Sequence, residues 1–405
     1  MKRGLLCSVL AVAVSLLSCK GDGSVPSVKE QLPNEASLLG HEGPEGSVPI
    51  RLEEPEDSLS YAVGVLFSSE MRSMMKTRGI AAEQAPDFAK GLKAAFPVDA
   101  SAKSSAYANG VRLAAKVAET LEYEKSYAGV KTVDINRVSL RAALLDVAGG
   151  ESGADKVVAA KQQLEKGGDA KQLSYAIGVL LYKDYSGFSY GISTEDMGSF
   201  AKGIGDAFPL AYSKQASAFV SGVGASIEAD VLLEENRSLF RTANCTRVNR
   251  RAYIEAVAAS ALGKNGKDEQ AAARELFHHY VYKAPARKFL EDNRVRRGVQ
   301  ELPSGLQYKV TELGNGGVAN EEDVVSCIYK CTLTDGYILA TTQGKAADVK
   351  VNEQLQGFKE ALMTLPAGTK CMLYLPWDLA FGADGQGLVP PYTVIVYDLE
   401  IKGVK

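Results

Sequence analysis

Several things that announce a function in a sequence are scarce or missing in this 405-residue chain. Six cysteines are too few for a disulfide-built scaffold at this length. Of the three histidines, His41 stands alone. His278 and His279 are adjacent, and neighbours at i and i+1 on a helix do not face the same ligand, so no metal site is expected. A formal net charge of −3 gives no general field for nucleic acid or anionic lipid, and no nucleic-acid partner is expected. Walker, zinc-spacing, catalytic-triad and dinucleotide patterns are absent, so no cofactor is expected either. Apolar runs are short beyond the extreme N-terminus, which excludes a multi-span membrane protein. What remains is 46% hydrophobic and 23% charged, the balance of a folded chain, and at roughly 150 residues per domain its length suggests two or three domains.

Lys2 and Arg3 precede an apolar stretch from Leu5 to Leu17 of about 13 residues, short for a membrane span and suited to a signal-peptide core. It ends in Leu16-Leu17-Ser18-Cys19, which resembles the lipobox of bacterial lipoproteins. That resemblance implies a signal peptide over 1–18, lipidation at Cys19 and attachment to a membrane through the acyl chains. It also implies a place in a bacterial cell envelope, on the outer membrane facing the periplasm or the surface. Residues 19–57 are rich in Gly, Pro, Ser and Glu without helical or strand period, and are expected to form a flexible tether.

The middle of the chain is duplicated. Leu59-Ser60-Tyr61-Ala62-Val63-Gly64-Val65-Leu66 returns as Leu173-Ser174-Tyr175-Ala176-Ile177-Gly178-Val179-Leu180. Phe88-Ala89-Lys90-Gly91 returns as Phe200-Ala201-Lys202-Gly203, and Asn136-Arg137 as Asn249-Arg250, all at offsets of 112 to 114. Both copies, 58–150 and 169–262, read as helical, with Leu59, Val63 and Leu66 on one face. Gly64 and Gly178 sit inside those helices at a cost near 1 kcal/mol against Ala, the mark of a backbone packed closely alongside. Residues 268–300 read as a further charged helix interrupted at Pro285, whose Arg294, Arg296 and Arg297 suit a solvated helix end. The repeated Ser-Tyr-Ala-x-Gly segment and its Phe-x-x-Gly helix resemble the N-terminal domain of FKBP-type prolyl isomerases, including the macrophage-infectivity-potentiator group. The resemblance implies a dimerising domain and a connecting helix, and two copies in one chain imply either an intrachain pseudo-dimer or a homodimer.

After Pro303 the period becomes two. Val325, Cys327, Tyr329, Cys331 and Leu333 alternate with polar or outward residues, as do Cys371, Leu373 and Leu375, and later Ile395, Tyr397, Leu399 and Ile401. Glu353 to Met363 reads as one amphipathic helix. The fold class expected is therefore multidomain: all-α tandem repeats followed by an α+β domain over 301–405, an antiparallel sheet wrapped on a short helix. Cys327 and Cys331 lie about 13 Å apart along one strand and cannot bond each other, while a bridge from Cys371 to either stays open.

Leu302-Pro303-Ser304-Gly305-Leu306-Gln307-Tyr308, Thr332-Leu333-Thr334-Asp335-Gly336, Leu365-Pro366-Ala367-Gly368, Pro376-Trp377-Asp378-Leu379-Ala380-Phe381-Gly382 and Val389-Pro390-Pro391 resemble successive segments of the FKBP-type isomerase domain. With the repeats, this likeness covers most of the chain beyond the tether. It implies rotation of X-Pro bonds in proline-containing unfolded or exported polypeptides, with folding-chaperone work in the envelope. The catalytic positions implied are Tyr329, Phe358, Phe381 and Tyr397, in a pocket completed by Leu339, Ala340, Leu355 and Val389. Departures stand out: Leu339-Ala340 replaces the family's aromatic-Asp pair, Phe358 its floor Trp and Phe381 its loop Tyr. Those losses of polar handles favour an alternative, a noncatalytic peptide- or protein-binding lipoprotein on the same scaffold.

Overall fold

A computed structural model describes residues 54–150, 153–243 and 245–405. The signal peptide, Cys19 and the tether up to residue 53 lie outside the described residues. The chain divides into two compact units, one ending at Phe277 and one running from His278 to Lys405. The division falls within the segment read as the connecting helix.

The first unit is helical. Its main elements are α1 (Pro55–Leu66), α2 (Ser68–Thr77), α3 (Ala85–Ala94), α4 (Ala102–Tyr123), α5 (Arg137–Ala148), α6 (Gly153–Lys166), α7 (Ala170–Asp184), α8 (Met197–Ala207), α9 (Lys214–Glu235), α10 (Arg237–Thr242), α11 (Arg250–Ala261) and α12 (Lys267–His278). A two-residue hairpin, β1 (Ser126–Tyr127) with β2 (Val130–Lys131), links α4 to α5. Capping repeats with the sequence. Ser101 and Ser213 cap α4 and α9 by accepting from the amides of Ser104 and Ala216, and Asn136 and Asn249 cap α5 and α11 in the same way.

Helices of the two copies pack mainly on helices of the other copy. They interleave: α1 lies on α11, α3 on α9, α4 on α8 and α5 on α7. Each contact has its duplicate. The Ser60 hydroxyl accepts the Asn249 amide at 2.9 Å, and Ser174 accepts that of Asn136 at 2.8 Å. Arg250 donates to the Pro97 carbonyl and Arg137 to that of Pro209. A Cβ at Gly64 would lie 2.5 Å from the Tyr253 carbonyl oxygen, and one at Gly178 2.6 Å from that of Leu140, so only glycine lets these backbones approach. The two copies thus share one unit instead of forming consecutive ones. Helix α6 is itself half of a pair: Gly153, Asp155, Ala159 and Ala160 match Gly266, Asp268, Ala272 and Ala273 in and before α12, at an offset of 113. In the first copy this helix ends at Lys166 and turns into α7; in the second, α12 leads on to the sheet.

The second unit starts with a π turn, His279–Lys283, followed by α13 (Ala284–Arg294). Pro285 enters at the start of α13, so the interruption read from the sequence is absorbed by the wider turn instead of a break. The strands are β3 (Gln300–Glu301), β4 (Gln307–Glu312), β5 (Val324–Thr332), β6 (Ile338–Thr341), β7 (Ala347–Lys350), β8 (Lys370–Leu375) and β9 (Ile395–Val404). They form an antiparallel sheet of order β3-β4-β8-β9-β5-β6, with β7 also pairing β5. One helix, α14 (Gln356–Leu362), is shorter than the 353–363 read from the sequence, with Glu353 closing a separate 3-10 turn that begins at Val351. It buries Phe358, Ala361 and Leu362 against Val325, Leu373, Leu375 and Leu399. Helix α13 is keyed to the sheet by a buried amide pair, Asn293 donating to Gln307 at 2.9 Å, while Gln307 donates to the Leu290 carbonyl. Because β9 runs between β5 and β8, Cys371 is two strand spacings, about 9.6 Å, from the strand of Cys327 and Cys331. That is beyond disulfide reach, and all three thiols are buried and free; the bridge left open by the sequence is not formed.

Candidate functional site

Three aromatic rings meet where α14 crosses the sheet. Tyr329 comes from the middle of β5, Tyr397 from β9 beside it, and Phe358 from the helix. Phe358 and Tyr397 stack with centroids 4.5 Å apart and planes 21° apart. Tyr329 stands edge-on to both, at 5.9 Å and 5.8 Å. This is the arrangement that the ring quadrupoles favour. Phe358 and Tyr397 are buried, at 1% and 8% exposure, and Tyr329 is half-buried, so Tyr329 is the ring that a ligand would reach first. Leu339 from β6, Leu355 before α14 and Phe381 from the loop after β8 are also half-buried and pack against the same core, joined by buried Val389.

Ala340 is the exception. It lies on the short strand β6 opposite Cys331, yet it is exposed and stands outside the packed cluster. The structure therefore gathers seven of the eight residues named from the sequence and leaves Ala340 at the surface, because β6 ends the sheet path with little to cover it.

Cys331 is a member that the family likeness did not name. It is the strand partner of Tyr397 across β5 and β9, a place foreshadowed only by the alternation that puts Cys327, Tyr329 and Cys331 on one side of β5. Burial holds the Tyr397 hydroxyl far above the usual phenol range, and pushes Tyr329 and the Cys331 thiol up as well. Every titratable group of the floor is thus neutral at neutral pH, and no thiolate nucleophile is available. Among the described residues no group of His, Cys, Asp or Glu is placed to hold a metal. An apolar, uncharged floor with one half-exposed tyrosine can do one kind of chemistry well, which is to hold a flat, weakly polar group out of water.

The loop from 376 to 394 closes this floor from one side and is braced by its own backbone. Gly382 donates to the Trp377 carbonyl at 2.8 Å, Tyr392 donates to the Gly382 carbonyl at 3.3 Å, and Gln386 and Val389 exchange two hydrogen bonds. Phe381 sits between the first two links.

A small antiparallel sheet wrapped on one helix, with an uncharged aromatic floor, defines an apolar binding domain. Two family models match the chain: the FKBP-type peptidyl-prolyl cis-trans isomerase over residues 316–402, and the domain amino-terminal to such isomerases over 218–310. The macrophage infectivity potentiator of Trypanosoma cruzi is 31% identical over 139 residues, 33% of this chain and 71% of that protein. The outer membrane protein MIP of Legionella longbeachae is 35% identical over 126 residues, 30% of this chain and 54% of the relative. The FKBP-type isomerase FkpA of Aeromonas hydrophila is 33% identical over 120 residues, 29% and 45% respectively. The chain thus spans about half the length of these last two relatives. It belongs to the FKBP-type peptidyl-prolyl cis-trans isomerase family.

Proposed function

We propose that this protein rotates X-Pro bonds in unfolded or exported polypeptides of a bacterial cell envelope. The observation that carries the reading is the ring trio of Tyr329, Phe358 and Tyr397, assembled inside a segment that matches the isomerase family model. Rotation about an X-Pro amide is slow because the planar form is held by resonance, with a barrier near 18–20 kcal/mol for amides generally. At the twisted midpoint that resonance and its charge separation are lost. A dry apolar floor binds the twisted amide better than the planar one, and this difference is what accelerates rotation. No covalent step is required of the protein.

A second reading has its own observation. Ala340 is exposed where the family places an acidic residue, and Phe381 carries no hydroxyl, so the pocket is short of polar handles. On that reading the protein holds proline-containing segments without turning them over. Exchange NMR of a short Leu-Pro peptide with the full chain separates the two. Catalysis by the natural protein supports the isomerase; catalysis only by a Leu339→Phe/Ala340→Asp variant identifies a binding module.

We further read the helical unit as a dimer folded into one chain, supported by the reciprocal contacts between its copies. The first copy's α6 stands where the second copy's α12 begins the connection to the isomerase domain, so two dimerising halves serve a single pocket. Anchoring through Cys19 to the outer membrane rests on Leu16-Leu17-Ser18-Cys19 and on the naming of one relative as an outer membrane protein. Fatty-acid incorporation that survives in wild type and vanishes in Cys19→Ser tests it.

A further inference from the structure

The loop that carries Phe381 and Val389 is held from outside the pocket by a feature that the family likeness did not single out. Trp377 and Tyr392, the residues at the two ends of its backbone bracing, stand edge-to-face with centroids 5.0 Å apart and planes at 72°. The Lys283 ammonium lies over both rings, 5.9 Å from the centroid of Trp377 and 5.5 Å from that of Tyr392. Lys283 is the last residue of the π turn, and His278, just before that turn, meets the Tyr392 ring at 6.2 Å. Tyr392 has φ +54°, a left-handed backbone that a bulky side chain adopts only when its surroundings hold it. Turns with an extra residue are found at working sites more often than in ordinary helices, because they re-aim side chains that a regular helix would point elsewhere.

The bracing connects these rings to the pocket. Gly382 donates to the Trp377 carbonyl and Tyr392 to the Gly382 carbonyl, so both residues under the ammonium are bonded to the residue next to Phe381. We propose that Lys283, Trp377 and Tyr392 are positioning residues: the π turn sets the lysine over the two rings, and the rings fix the loop so that Phe381 and Val389 complete the peptide pocket. This rests on the peptide-pocket reading above. The lysine touches no reacting atom; it acts through the loop. Burial and nearby Arg287 lower the Lys283 pKa from its usual range, in keeping with an ammonium partly withdrawn from water against the rings.

The test uses the full chain and Lys283→Met, which keeps the aliphatic stem and removes the cation. Trp377 is the sole tryptophan of the sequence, so emission excited on the red edge, beyond tyrosine absorption, reports on this cluster alone. In Lys283→Met we expect altered Trp377 emission and about three- to tenfold faster amide exchange at Gly382 and Tyr392, the range that loss of a partly buried cation–π contact implies. Lys283→Arg, which keeps the cation, restores both. Tyr392→Gly relaxes the backbone at positive φ and yet loosens the same two amides, because the ring is lost. For the Leu-Pro peptide the loss appears in KM more than in kcat. Exchange and emission unchanged in Lys283→Met overturn the proposal, as does an arginine variant as loose as the methionine one. Should the wild type fail to turn the peptide over, the isomerase reading falls by itself, since exchange and emission decide the role of the lysine without any catalysis.

Discussion

At the scale of single residues, the pocket floor is also core. Phe358 is buried and stacked on Tyr397, so shortening it to alanine removes a ring contact and opens a cavity together. Phe358→Ala is expected to lower stability by about 3–5 kcal/mol in urea titration. A loss below about 1 kcal/mol would mean that the ring is not the packed floor described. The thiols give a prediction in pH. Burial pushes Cys371 up to about 12 and Cys327 to about 11. Folding therefore keeps their protons on. Their contribution is fully present below the ordinary thiol range near 8.5, and it falls as pH rises from there toward the folded-state values, where the unfolded chain ionises first. The urea midpoint should decline above pH 8.5, and less steeply in Cys371→Val; equal slopes would refute the assignment.

Among the elements, the paired helices depend on backbone contact at a few points. A Cβ at Gly64 meets the carbonyl of Tyr253 in α11, and the neighbour cannot swing aside as a side chain could. Gly64→Ala and Gly178→Ala are each expected to cost about 1–3 kcal/mol by calorimetry or urea, despite the better helix propensity of alanine. Ser60→Ala and Ser174→Ala should cost similar amounts, since each strips the acceptor from a helix-capping Asn amide. The glycine in each copy was legible in the sequence as the mark of a close neighbour. Which neighbour was not, because the i, i+4 pattern of Leu59 and Val63 describes a face and says nothing of its partner. In the sheet unit, the alternation along Val325 to Leu333 gave β5 directly. Strand β6 was hidden, since Ile338-Leu339-Ala340-Thr341 does not alternate, and the exposure of Ala340 follows from its place at the sheet's end. The pocket residues were readable through motif likeness and not through periodicity, which describes Tyr329 equally well as ordinary core. The Lys283 cluster had no sequence signal, because it needs a π turn and a loop more than 90 residues downstream to meet.

For the whole molecule, α1 pairs with α11 and α3 with α9 inside one chain, which is what the pseudo-dimer reading requires. Sedimentation of the lipid-free protein should give the mass of a single chain over a wide concentration range, and a tight dimer would sink the pseudo-dimer reading. One isomerase domain per helical unit also means that its activity should not depend on protein concentration.

The pairing is nested. The contact between Asn136 and Ser174 closes 38 residues, that between Tyr107 and Asp206 closes 99, that between Gln84 and Lys214 closes 130, and that between Ser60 and Asn249 closes 189. Translated without its signal segment, so that it folds as it leaves the ribosome, the chain can close its innermost pair early, while α1 must wait for α11. At about 5–20 residues per second, the delay is about 10–40 s. During that time Leu59, Val65 and the close-packing face of Gly64 have no partner. Nascent chains arrested before residue 250 should lose α1 to protease while keeping α5 and α7. The first helix made is the last to find its place, and throughout that interval it needs a holdase more than any other part of the chain.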